Sequence, residues 1–201
     1  YQLHKGVLSD ADIRRARHAY YGSMAYVDDC FGEIINTLQV TGLADNTIVL
    51  VMADHGEMLG ERGMWYKMTF FDDAVRVPLI VHSPAHFAPR RITANVSLVD
   101  ILPTLRDLAA GGHYAGDDAA PLNGQSLYPW LVGRQGHDGV WGEYLAEGAT
   151  GPMVMIRRGP WKYISAQGDA PQLFNLATDP FERVTLAGEP ACQSIEADFA
   201  A

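Results

Sequence analysis

Asp54 and His55 stand side by side where an apolar run ends, in "VMADHGEMLGERGMWYKM" (51–68), and Lys67 follows Asp54 at a spacing of 13 residues. Aspartate offers hard oxygens and histidine a neutral imidazole nitrogen, a pairing that suits a mixed nitrogen/oxygen site for a divalent cation. Lysine brings a compact positive charge that can hold an anion such as sulfate or phosphate. Gly56 lets the chain turn sharply right after the pair. The spacing also fits a plainer reading, with Asp54 in a turn, His55 hydrogen-bonded and Lys67 solvated. Two ligands are not a complete site, and no nucleophile lies nearby in sequence.

The elements around the pair predict how it is held. Ser9-Asp10-Ala11-Asp12 reads as a helix start, with a capping serine and acids at the positive end of the dipole. Ile13, Ala16, Tyr20, Met24, Val27, Phe31, Ile34 and Leu38 recur at steps of three and four, which predicts one long amphipathic helix with a buried stripe, ended by Thr41-Gly42. "TIVLVMA" (47–53) is too short for a helix of its own and predicts a central strand buried on both faces. Helix, turn and strand together predict half of a parallel α/β unit. In open α/β sheets ligands bind beyond the carboxyl ends of strands, and Asp54 and His55 stand at such an end.

Downstream, 56–77 reads as a glycine-containing loop and "VPLIVHSP" (77–84) as a second buried strand. "SLVDILPTLRDLAAGG" (97–112) predicts a helix with Leu102, Leu105 and Leu108 on its apolar face and Pro103 in the first turn, where a missing N–H costs little. The character then changes. "SLYPWLVG" is a short helical piece. "VWGEYL" (140–145), "MVMIRR" (153–158), "WKYIS" (161–165) and "QLFNL" (172–176) predict an antiparallel meander, with Gly159-Pro160 as a tight turn. The expected organisation is α/β: residues 1–130 in a mixed sheet with flanking helices, and 131–201 in a small antiparallel β subdomain with a helix.

The 201 residues carry a net charge of −9, which argues against a nucleic-acid partner. No apolar run approaches the roughly 18 residues of a membrane span. The two cysteines, Cys30 and Cys192, form no C-x-x-C pair, which speaks against a zinc knuckle. The first residue is Tyr1 and no leader-like segment opens the sequence, so a processed or partial polypeptide is expected.

"LADNTIVLVMADHGEMLGERGMWYKMTFFDDAVRVPLIV" closely resembles the sulfatase branch of the alkaline phosphatase superfamily. "VSLVDILPTL", "LNGQSL", "RRGPWKYI" and "QLFNLATDPFE" resemble later sulfatase segments in the same order, so the likeness spans about residues 7–190. "DHGEMLGERGMWYKM" and "GEYLAEGA" look most like choline sulfatases, and phosphonate monoester hydrolases share the D-H-G form. The resemblance implies a metal-dependent sulfuric ester hydrolase acting on a small-molecule sulfate ester, cytoplasmic and homo-oligomeric. It implies that Asp54 and His55 help hold a divalent metal, Ca²⁺ foremost, with Mg²⁺ or Mn²⁺ as alternatives, and that Lys67 holds a sulfate oxygen. Glu147, or Glu143, would face a trimethylammonium group. A carboxylate suits that place, because a quaternary ammonium needs charge and aromatic faces in place of hydrogen bonds.

The resemblance also implies a formylglycine nucleophile, made from the first residue of a C/S-x-P-x-R motif, and paired upstream aspartates as further metal ligands. Neither is present: Cys30 precedes "FGEI", Cys192 precedes "QSIE", and no serine starts the motif. The sequence is therefore expected to match only the C-terminal half of such an enzyme and to be inactive alone. A phosphonate monoester or phosphodiester hydrolase is the second reading, and a non-catalytic structural or oligomerisation domain the third. A sheet edge left open by the missing strands would favour self-association.

Overall fold

The structure, a computed structural model, describes residues 8–116, 121–145 and 151–200. It is a mixed α/β chain that divides into two compact units, the first through Phe87 and the second from Ala88.

The first unit opens with helix α1 (Asp10–Val40). Ser9 caps it by accepting from the Asp12 backbone N–H, with Asp10 and Asp12 in the first turn. At the far end the Leu43 N–H donates to the Leu38 carbonyl across Gly42, whose φ is +72°. That is the left-handed turn a glycine closes at least cost. The apolar stripe is where the periodicity places it, but it is not buried. Ile13, Tyr20, Phe31 and Leu38 are half-covered, whereas Met24 (50% exposed) and Val27 (57%) face solvent, and no residue of α1 is fully buried.

Strand β1 (Val49–Met52) follows, then a small hairpin of β2 (Met58–Leu59) and β3 (Trp65–Tyr66), the short helix α2 (Asp72–Val75) and β4 (Leu79–His82). β1 pairs with β4 antiparallel, Val49 opposite His82 and Met52 opposite Leu79. The expectations of a parallel unit and of a strand buried on both faces are both corrected here. An all-apolar run carries no information about strand direction. β1 is half-buried in a two-stranded sheet, with Met52 and Ile80 exposed. The segment expected as a plain loop instead holds the β2–β3 hairpin and the best-packed part of the unit: Met58, Thr69, Phe70, Phe71 and Ala74 are all buried.

The second unit contains α3 (Ile101–Ala109), α4 (Tyr128–Leu131), a four-stranded sheet of β5 (Gly139–Tyr144), β6 (Met153–Arg158), β7 (Trp161–Ala166) and β8 (Gln172–Asn175), and α5 (Gln193–Ala200). The sheet is an antiparallel meander in sequence order, as its turn signals predict. Tyr163 stacks on Phe199 of α5 with ring centroids 6.1 Å apart, and Leu173 and Cys192 complete this core.

α3 departs from its expected orientation. Leu102 (55% exposed) and Leu105 point outward, and Ile101, Thr104 and Asp107 form the buried face. Hydrogen bonding decides this. The Thr104 hydroxyl donates to the Asp100 carbonyl (2.6 Å) and accepts from the Leu127 N–H (2.8 Å). The buried Asp100 carboxylate accepts from the Ser97 and Gln125 N–H groups, both at 2.8 Å, and pairs with His137 Nε2 at 2.9 Å. Gly124 allows the approach, because a Cβ there would collide with the Val99 carbonyl.

Candidate active site

Asp54 follows β1 directly, and the backbone bonds of the next two residues fix the start of the loop. The Gly56 N–H donates to the Ala74 carbonyl (2.7 Å) and the Glu57 N–H to the Asp73 carbonyl (2.8 Å). Only glycine permits this approach, since a Cβ at 56 would run into the Asp73 carbonyl oxygen. The loop is thus zipped to α2 through its main chain, above the buried Phe70, Phe71 and Ala74.

The far arm is held from α1. Arg17 Nε donates to the Leu59 carbonyl (2.9 Å) and Nη2 to Glu61 Oε1 (2.7 Å), while Glu61 Oε2 accepts from the Leu59 N–H (2.6 Å). Nothing in the pattern of residues signals this anchor. Arg17 lies 42 positions from Leu59 and reads as an ordinary helix-surface residue. Beside Lys67, Tyr66 takes a φ of +71°, a left-handed conformation that a bulky residue rarely adopts and that turns the chain just before the lysine.

These supports bring three side chains together. The His55 ring Nδ1 lies 2.8 Å from the Gly56 carbonyl oxygen. A carbonyl only accepts, so Nδ1 carries the proton and Nε2 presents a bare lone pair. That lone pair lies 2.9 Å from Lys67 Nζ, which donates to it, and 3.5 Å from Asp54 Oδ2. The other carboxylate oxygen, Oδ1, accepts from the His55 N–H (3.0 Å). One free carboxylate oxygen, one imidazole lone pair and one ammonium therefore converge, with Asp54 and Lys67 exposed and His55 half-buried.

The donor set fits part of a cation site and no more. Asp54 and His55 supply one oxygen and one nitrogen, and no group of three or more histidine, cysteine, aspartate or glutamate side chains able to hold a metal occurs among the described residues. Glu143 lies on β5, exposed. Glu147 falls outside the described residues.

Residues 1–112 match the family model "Sulfatase", and residues 60–201 match "N-sulphoglucosamine sulphohydrolase, C-terminal". The chain belongs to the sulfatase family. It is 41% identical over 184 residues to a choline-sulfatase of Rhizobium meliloti, an alignment covering 91% of this chain and 35% of that protein. It is 36% identical to arylsulfatase K of Gallus gallus, covering 90% of this chain and 35% of the relative. The fold superposes with a TM-score of 0.83 on the phosphonate monoester hydrolase of Agrobacterium radiobacter, at 29% identity over 96% of this chain and 41% of that one. The chain spans about a third of the length of the curated relatives it matches.

Proposed function

We propose that this chain supplies one side of the active site of a metal-dependent sulfuric ester hydrolase of the choline-sulfatase type. The convergence of Asp54 Oδ2, His55 Nε2 and Lys67 Nζ carries this reading. Asp54 and His55 would hold a divalent cation, with Ca²⁺ preferred and Mg²⁺ or Mn²⁺ as alternatives. A cation bound there polarises an ester oxygen. Lys67 would turn from His55 to a sulfate oxygen, where its charge offsets charge that builds up on that group. Glu147, or Glu143, would face the substrate's quaternary ammonium. The substrate is a small sulfate ester. In this reading residues 1–130 belong to the catalytic α/β domain and 131–201 form its small β subdomain.

The nucleophile comes from a C/S-x-P-x-R segment that these 201 residues do not contain. The chain alone is therefore inactive towards choline sulfate and aryl sulfates. Turnover by the pure chain that Asp54→Ala abolishes would overturn this.

The likeness to a phosphonate monoester hydrolase supports a second reading with the same cation and lysine roles. Choline sulfate, an aryl sulfate and a phosphonate monoester, offered to this chain joined to a motif-bearing segment, separate the two. Preference for choline sulfate supports the first, and preference for the phosphonate ester replaces it with the second.

A further inference from the structure

In a chain of net charge −9, three arginines converge on one cleft. Arg90, Arg91 and Arg134 line an open cleft of about 390 Å³ in the second unit, with Trp130 as its aromatic wall and Asp138 as its acid. The walls are set by specific contacts. The Trp130 indole N–H donates to the His137 carbonyl (3.2 Å), which fixes the ring, and Gly136 lies so close that a Cβ there would come within 2.5 Å of the indole nitrogen. Arg90 Nη1 donates to the Trp130 carbonyl (3.3 Å). Gly133, at φ +83°, makes room for that guanidinium. Asp138 is already engaged, with Oδ1 accepting from both the backbone and side-chain N–H groups of Asn95 at 2.7 and 2.8 Å. Among the described residues, none of the three arginines has a carboxylate partner.

Guanidinium forks match the geometry of tetrahedral oxyanions and bind them by paired, charge-assisted hydrogen bonds. An indole face beside them gives a flat apolar surface for a ring to lie on. The cleft is also larger than a bare oxyanion needs. We propose that the Arg90–Arg91–Arg134 cleft binds a sugar bearing a sulfate or phosphate ester, with the ester on the guanidinium groups and the sugar ring against Trp130. The site uses none of the residues assigned to catalysis, and it does not depend on the reading of Asp54, His55 and Lys67.

The test is titration of the chain with glucose 6-sulfate, glucose 6-phosphate, inorganic sulfate and glucose, followed by the indole N–H resonance of Trp130. The two esters distinguish a sulfate from a phosphate source. Saturable shifts with at least one ester are expected, with weaker binding of inorganic sulfate and none of glucose. Arg91→Glu and Arg134→Glu, both at exposed positions, should each weaken binding about tenfold or more, the loss of one charge-assisted contact. Unmoved resonances of Trp65, Trp141 and Trp161 verify that each variant is folded. Lys67→Ala should leave the titration unchanged, which separates this cleft from the proposed sulfate site. The proposal is overturned by the absence of any Trp130 shift with either ester. Equal binding of glucose or inorganic sulfate, or binding that survives Arg91→Glu/Arg134→Glu, also overturns it.

Discussion

Lys162 Nζ and Glu182 Oε1 meet at 2.7 Å, and both residues are buried. The pair ties strand β7 to the turn after β8, joining "WKYI" to "DPFE" 20 residues later. Two charges out of water are tolerable only together. Lys162→Met takes the ammonium away from the buried carboxylate and should cost about 3–5 kcal/mol of stability, read as a lowered urea midpoint. Lys162→Met/Glu182→Gln removes the buried charge as well and should regain part of that loss. A single variant as stable as the parent, or a double variant worse than the single, would contradict this account.

The ammonium of Lys67 sits on the lone pair that a cation held by Asp54 and His55 would need. It competes for His55 Nε2 and repels positive charge. Lys67→Met should therefore tighten Mn²⁺ binding several-fold over a weak starting affinity, followed by paramagnetic broadening of the His55 ring resonances. His55→Ala should remove the effect. Weaker Mn²⁺ binding in Lys67→Met would show that the lysine supports the cation site instead of competing with it.

Gly56→Ala places a methyl group against the Asp73 carbonyl and should open the zipper between the loop and α2. A cost of about 1–3 kcal/mol is expected, typical of overpacking. Amide exchange should lose protection at residues 56 and 57 first. Unchanged protection there would mean that the two segments can move apart without penalty.

Much of the site was legible because it is local. Aspartate and histidine at the end of an apolar run, with glycine next, announce a loop that can hold a ligand, and the lysine follows a few residues on, just after the β2–β3 hairpin. The meander was legible for the same reason, since each turn joins neighbours in sequence. What escaped depends on partners distant in the chain. Periodicity put Met24 and Val27 on the apolar face of α1, but it cannot say whether anything covers them. Three leucines suggested the buried side of α3, yet the bonds Thr104 and Asp100 make to residues 125 and 127 turn that helix the other way. The antiparallel pairing of β1 with β4 was equally hidden, because both strands are uniformly apolar.

The zipper between Gly56-Glu57 and Asp73-Ala74 is made of main-chain atoms, so it places few demands on the exposed side chains of the loop. At Tyr66, exposed at the loop surface, residues that tolerate its left-handed backbone can replace the ring while Asp54, His55 and Lys67 keep their mutual distances. The loop thus separates what must be inherited from what can drift. A lineage can alter the rim of this loop without moving the three groups at its base.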